Sequence, residues 1–162
     1  MENDIIAIVM AAGKGTRMKS KNSKLVQIYG KEIVKRAVEN AEKAGVKDIV
    51  AVVGYKKEEV MKVLGDNIKY AFQDEMLGTG HAVMQAKEYL KGKKGKVLVL
   101  NGDVPLIRPE TLNKLIEKSI ENKEYATLLT AIYDDPTGYG RIVRDEGGNI
   151  EGIVEEKDTT EE

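Results

Sequence analysis

The chain has 162 residues, and 41% of them are hydrophobic, which suits one domain with a useful core; 26 Lys and Arg against 27 Asp and Glu leave no general attraction to nucleic acid or anionic membrane. It contains no cysteine and one histidine, so disulfide scaffolds, thiolate-bound metals and His-rich metal sites are excluded, and no oxidising compartment is implied. The apolar run from Ile5 to Ala12 is too short to span a bilayer and no basic stretch precedes it as a secretion signal requires, so the expected location is the cytoplasm.

In chain order, Ile5 to Met10 is apolar on both faces and predicts a buried strand. Lys31 to Ala44 places Ile33, Val34, Ala37, Val38 and Ala41 at helical spacing, with Gly45 as the stop. A strand over Asp48–Val53, a helix over Lys57–Leu64, a strand over Ile68–Phe72 and a helix from Thr79 to Leu90 follow. Lys96–Leu100 reads as another doubly apolar strand, and Pro109 opens a helix carrying Leu112, Leu115 and Ile116 on one face. Tyr125–Tyr133 is expected to be a strand, and two shorter ones, Arg141–Arg144 and Ile150–Val154, flank a turn at Gly147 and Gly148. Regular alternation of strand and helix predicts an α/β fold, a Rossmann-like, mostly parallel sheet with helices on both faces.

Ligands of such folds bind beyond the carboxyl ends of the strands. After the first strand comes Ala11-Ala12-Gly13-Lys14-Gly15-Thr16-Arg17, and after the fourth comes Asn101-Gly102-Asp103-Val104-Pro105. The first segment is small and cationic: its backbone N–H groups can approach an anion, and Lys14 and Arg17 can neutralise it. Between Lys14 and Arg36 there are eight Lys and Arg against one acid, Glu32, a local excess that suits a polyphosphate. The second segment ends in a carboxylate placed to hold Mg²⁺ against phosphates. A Walker loop is excluded because Gly15 follows Lys14 and Ile8 stands where the leading glycine belongs; a dinucleotide fingerprint fails at Met18. A glycine turn with solvated cations is the plainer reading of the first segment alone, and its pairing with Asp103 argues against that.

The octapeptide Ala11 to Met18 resembles the signature loop of the sugar nucleotidyltransferases, and Leu77-Gly78-Thr79-Gly80-His81-Ala82 looks like the nucleobase segment of one branch. That branch comprises the bacterial N-acetylglucosamine-1-phosphate uridyltransferases, N-terminal halves of bifunctional enzymes whose C-terminal halves are glucosamine-1-phosphate acetyltransferases. Asn101 to Ile107, Asp134 to Arg141 and Ile153 to Asp158 are similar to later motifs of the family, in the same order, so the resemblance covers essentially the whole chain. It implies Mg²⁺-dependent formation of UDP-N-acetylglucosamine and pyrophosphate from UTP and N-acetylglucosamine 1-phosphate, a precursor step for peptidoglycan and lipopolysaccharide.

By that resemblance, Arg17 and Lys24 are the catalytic cations on the triphosphate and leaving group, and Asp103 is the metal ligand. Met10, Ala11, Ala12 and Gly13 cradle the nucleotide, Gln73, Gly78 and Thr79 read uracil, and Asn101 and Gly102 complete the nucleotide side. Gly140 and Glu155 contact the sugar phosphate.

Other residues have plainer expectations. Lys24 follows Ser23 where the family usually has proline, His81 is a structural hydrogen-bonding residue rather than a catalyst, and Asp134 and Asp135 shape a turn. Lys91, Lys93, Lys94 and Lys96 lack interleaved aromatics and read as a solvated loop, with no nucleic-acid partner.

Residues 1–162 are expected to be an N-terminal portion of the family's uridyltransferase domain, without the trimer-forming acetyltransferase β-helix. A monomer or weak self-association is expected where full-length members are trimeric, together with weak UTP binding and little turnover. Two alternatives stay open: a nucleotide-binding module without turnover, and a related transferase for another base or sugar. Molybdenum-cofactor guanylyltransferases are an example of the latter, and they are not expected to carry Leu-Gly-Thr-Gly-His-Ala.

Overall fold

The computed structural model describes residues 4–14 and 22–158 and groups the chain into two compact units, one running to Thr127 and the other beginning at Leu128. The first unit is built on a four-stranded parallel sheet. Its strands are β1 (Asp4–Ala11), β4 (Asp48–Val53), β5 (Lys69–Phe72) and β6 (Gly95–Asn101), in the order β5-β4-β1-β6. A small antiparallel pair, β2 (Gln27–Ile28) and β3 (Lys31–Glu32), leads into helix α1 (Ile33–Lys43). The expected helix start at Lys31 is therefore two residues early: Tyr29 and Gly30, both at positive φ, turn the chain so that Gln27 pairs with Glu32 and Ile28 with Lys31.

Helices cover both faces of the sheet. On one face α1, α2 (Lys57–Leu64) and α5 (Pro109–Glu121) bury Val34, Ala37, Val38, Ala41, Val60 and Leu112 against alternate residues of β1, β4 and β6. On the other, α3 (Thr79–Gln85) and α4 (Lys87–Leu90) set Ala82 and Ala86 over Ile6, Ile8, Val50 and Val52. The continuous helix expected over Thr79–Leu90 is thus two short ones meeting at Ala86, whose N–H bonds Val83 O at 3.0 Å while Tyr89 N–H bonds Ala86 O at 3.0 Å.

Two strand expectations are corrected. The β6 strand is not buried on both faces: Leu98 and Leu100 are, but Val97 and Val99 are 44% and 43% exposed. They lie beside Ile6 and Ile8 on the face where, among the described residues of this unit, Ala82 and Ala86 pack over β1, β4 and β5. Tyr125–Tyr133 forms no strand, and Tyr125, Leu128, Leu129, Ile132 and Tyr133 are exposed. Its apolar, β-favouring composition suits a strand, but no neighbour among the described residues pairs with it in a ladder.

The second unit contains the hairpin β7 (Arg141–Arg144) and β8 (Ile150–Val154), antiparallel, with a register shift between Val143 and Arg144. The Asp145 carboxylate closes its turn by accepting from Asn149 N at 2.8 Å, and Gly148 supplies the positive φ that the turn needs.

Candidate functional site

The parallel register brings the two segments singled out by sequence side by side. Met10 at the end of β1 pairs with Asn101 at the end of β6, and Gly102 N–H donates to Met10 O at 3.0 Å. A β-carbon at Gly102 would stand 2.9 Å from that oxygen, so glycine is what allows the contact. Ala11, Ala12 and Gly13 continue from β1, the two alanines buried and Gly13 exposed. Asp103 follows directly, its side chain 26% exposed, and its Oδ2 lies 3.0 Å from Lys24 Nζ.

Lys24 is only 6% exposed, an unusual place for an ammonium group unless a charge faces it. It sits in a single 3-10 turn, Ser23–Leu25, and the Asn22 side chain caps that turn by accepting from Lys24 N at 3.2 Å. Ser23, in the place of the family's proline, is fully buried as the first residue of the turn. Presentation of Lys24 therefore rests on an Asn cap instead of a fixed proline φ. Asn22 Nδ2 and Ser23 Oγ are buried without a hydrogen-bond partner among the described residues.

The loop after Asp103 is tied down from the back. On α1, Asn40 Nδ2 donates to Pro105 O at 3.1 Å and to Ile107 O at 2.9 Å. Asn40 was not singled out from the sequence, because an asparagine inside a helical stretch carries no signal until the contact 65 residues away is known. Gly54 is another such residue. A β-carbon there would lie 2.6 Å from Gln73 O and 3.1 Å from the Ala12 β-carbon, so Gly54 lets the ends of β1, β4 and β5 close up. A glycine directly after a buried parallel strand is the signal that could have found it. Next to it, Tyr55 N–H bonds Ala12 O at 3.0 Å and the Tyr55 ring lies 5.7 Å from Lys14 Nζ, a cation–π contact.

Gln73 extends β5, its N–H bonding Val53 O at 2.8 Å, and is 4% exposed. Its Nε2 donates to Gly78 O at 3.2 Å and lies 3.0 Å from His81 Nδ1. Gly78, at φ 97°, and Thr79 begin α3, so the three residues expected to read a base are brought together. His81 is indeed a hydrogen-bonding residue, as expected.

The cation excess has more than one use. Lys31 Nζ pairs with Glu39 at 2.8 Å and Arg36 donates through Nη2 to Ile28 O at 2.5 Å, so these two cations fasten β2 and β3 to α1. Arg17 lies outside the described residues. Of the later lysines, Lys93 pairs with Asp48 at 3.4 Å and Lys96 donates to Glu124 O. Asp135 shapes a turn as expected, accepting from Thr137 N at 3.1 Å and from its hydroxyl at 2.6 Å; this bonding holds its carboxyl below the usual carboxylate range.

In the second unit Gly140 and Glu155 flank the paired residues Arg141 and Val154, so the hairpin sets them at the same end. A β-carbon at Gly140 would come within 3.1 Å of Ile153 Cγ2. Both residues are exposed, and Arg141 pairs with Glu156 at 2.7 Å beside them.

The donors suit a divalent cation held mainly by substrate oxygens. Among the described residues no three His, Cys, Asp or Glu side chains gather as a metal cage. One accessible carboxylate, Asp103, stands at the strand end, which fits an ion such as Mg²⁺ that keeps waters and phosphates in most of its shell.

Against known proteins, the Nucleotidyl transferase family model matches residues 6–161. The "Bifunctional protein GlmU" of Caldanaerobacter subterraneus subsp. tengcongensis is 53% identical over 160 residues, covering 98% of this chain and 35% of that protein. The protein of the same name from Clostridioides difficile is 50% identical over 157 residues, covering 96% and 34%. The chain thus spans about a third of the length of these curated relatives. Among solved structures, a nucleotidyl transferase from Methanothermobacter thermautotroptrophicus superposes with a TM-score of 0.59 at 23% identity, over 71% of this chain and 57% of that one. Rv0371c from Mycobacterium tuberculosis in complex with manganese gives 0.60 at 18% identity, over 70% and 58%; at such identities both speak for the fold alone. No helix among the described residues is long and apolar enough to cross a membrane.

Proposed function

Because the chain belongs to the nucleotidyl transferase family, we propose that it acts in forming UDP-N-acetylglucosamine and pyrophosphate from UTP and N-acetylglucosamine 1-phosphate, with Mg²⁺, in the cytoplasm. The observation that carries this reading is the buried Lys24 ammonium held 3.0 Å from Asp103 where the ends of β1 and β6 meet. A fixed cation and a metal-binding carboxylate, next to a turn of small residues, are what a triphosphate substrate calls for.

In the proposed reaction a phosphate oxygen of the sugar 1-phosphate forms a bond to the α-phosphorus of UTP. The bond from that phosphorus to the α–β bridging oxygen breaks, and pyrophosphate leaves with the electron pair. No covalent enzyme intermediate is required, so positioning and charge neutralisation are the protein's tasks. Lys24 neutralises charge that grows on the leaving phosphates, and it does so from a buried position where little water screens it. The backbone of Met10 to Gly13 lies against the nucleotide, with Asn101 and Gly102 beside it, and Arg17 joins Lys24 on the phosphates by its place in the motif. Mg²⁺, when bound, draws charge from the phosphate oxygens, and Asp103 is the residue that would hold it. Gln73, Gly78 and Thr79 take the uracil. Gly140 and Glu155 take the sugar phosphate, an assignment that rests on their motifs.

The test is calorimetry of this chain with UTP, CTP, GTP and ATP in Mg²⁺, followed by pyrophosphate detection with a panel of sugar 1-phosphates. UTP should bind best, and N-acetylglucosamine 1-phosphate should be the sugar that supports release. Preference for GTP, or release with glucose 1-phosphate alone, would overturn the substrate assignment. UTP binding with no release from any sugar would reduce the chain to a nucleotide-binding module.

A further inference from the structure

The single histidine of this chain stands between two glutamine amides, and the geometry cannot be satisfied as a symmetrical arrangement. Gln73 Nε2 lies 3.0 Å from His81 Nδ1, and Gln85 Nε2 lies 3.0 Å from His81 Nε2. A neutral imidazole has one N–H and one lone pair, so it can accept from only one of these amide nitrogens. One glutamine has to present its oxygen instead.

The two glutamines are not equally free to do so. Gln73 is 4% exposed and its Nε2 also donates to Gly78 O at 3.2 Å, a carbonyl that can only accept. Turning this amide over would set oxygen against oxygen there, at a side chain too buried for water to replace the lost bond. Gln85 is half-buried on α3, and its Nε2 has His81 O as its other partner at 3.1 Å, within the same helix. It too loses a carbonyl contact on turning, but this side chain is open enough for water to compensate, and its Oε1 then accepts from the ring.

We infer that His81 is a positioning residue for base selection: with its proton on Nε2 toward Gln85, its bare Nδ1 locks the Gln73 amide so that both amide hydrogens are consumed and only the Gln73 oxygen is offered to a nucleobase. This deepens the uridyltransferase reading and rests on it. An isolated glutamine offers a donor and an acceptor and could pair with either pyrimidine. Gln73 as held by Gly78 and His81 offers an acceptor alone. Uracil on a ribose has one ring-edge donor, N3–H, whereas cytosine has a bare N3 and donates only through its exocyclic N4 amino group; a base held with N3 at the Gln73 oxygen is therefore accepted as uracil and repelled as cytosine.

The chain's one histidine makes the direct test unambiguous, since its imidazole signals need no sorting from others. At mildly alkaline pH, ¹⁵N NMR of the unmodified protein should show the proton on Nε2, a hydrogen-bonded bare Nδ1, and a coupling across the bond between Gln73 Nε2 and His81 Nδ1. A proton on Nδ1 would overturn the inference without any variant being made. The second test is the ratio of UTP to CTP affinity, by calorimetry in Mg²⁺. His81→Phe keeps a flat ring but removes the acceptor, and the ratio should fall roughly tenfold, the worth of one hydrogen bond against one repulsion. His81→Asn returns an acceptor near the place of Nδ1 and should restore most of the ratio, which a loss of packing would not do. If the parent protein discriminates, Gln73→Ala abolishes the ratio and His81→Phe leaves it unchanged, His81 has no such role while the base assignment stands. If the parent binds UTP and CTP equally, the base assignment itself falls, and selection by His81 falls with it.

Discussion

The strand-end site of the first unit and the hairpin of the second carry their candidate site residues in opposite ways. In the first, Lys24 and Gln73 are buried polar groups held by partners from other elements: Asp103 after β6, and Gly78 and His81 around the start of α3. In the second, Gly140 and Glu155 are exposed and are set by the local pairing of β7 with β8. A buried polar group without its partner is costly, whereas an exposed one is solvated at once. Changes in the strand-end site should therefore disturb stability and binding together, and changes in the hairpin should disturb binding alone.

The strongest challenge to that contrast is Gly54→Ala. The added carbon meets the Gln73 backbone oxygen at 2.6 Å, and neither backbone can yield without shifting the ends of β4 and β5. A loss of about 2–3 kcal/mol is expected, the scale of an overpacked core site, together with weakened UTP binding. Urea unfolding and calorimetry on one preparation would read both. A variant as stable as its parent would show that the strand ends are loosely joined.

Next in size is the ion pair. Asp103→Asn leaves the Lys24 ammonium buried without its counter-charge, and a cost of about 1–3 kcal/mol is expected, below that of a fully buried pair because Asp103 is partly open to water. Lys24→Met should cost less, since it removes the buried charge along with the bond and keeps the side-chain volume. A double-mutant cycle over the two substitutions measures the coupling directly. Additive losses would mean that the pair does not stabilise the fold.

On the other side of the comparison, Glu155→Gln should change stability by less than about 0.5 kcal/mol and leave UTP affinity as it is, because the side chain is exposed. Its effect should be confined to the sugar phosphate, seen as a raised KM for that substrate. A large drop in melting temperature would show that this half is not built locally.

The smallest effect belongs to the opposite end of the sheet. Bonding to the Lys69 ammonium at 2.5 Å, reinforced by the nearby charge of Lys69 and Lys93, holds the Asp48 carboxyl below the usual carboxylate range. A carboxyl lowered in the folded state adds stability above its unfolded pKa of about 3.9, and that stability is lost as pH falls through the lower folded value. Asp48→Asn should accordingly cost a few tenths of a kcal/mol near pH 7, about the worth of a surface pair, and nothing once the pH is below both values. Acid titration of urea stability in the two proteins would show the curves converging, and parallel curves would remove Asp48 from the pH dependence.

Local chemistry governs the elements that need only their own residues and a face to bury. Ile33, Val34, Ala37, Val38 and Ala41 fall on one side of α1 because the helical period puts them there, and the Asp145–Asn149 turn closes through neighbours in sequence. The run Tyr125–Tyr133 marks the limit of such reasoning. Composition favours a strand, but a strand exists only where another one pairs with it.

The sequence by itself determined the alternation of strands and helices, the small, cationic segment after β1, the carboxylate after β6 and the family to which these motifs belong, since each is written in residues close together along the chain. Only the tertiary structure decided that Lys24 faces Asp103, that Asn40 holds the loop behind it, that Gly54 closes the strand ends and that Gln73 Nε2 lies against both Gly78 O and His81 Nδ1. These are contacts between side chains brought together by strand order and by the packing of helices onto the sheet, and spacing along the chain does not encode such distances.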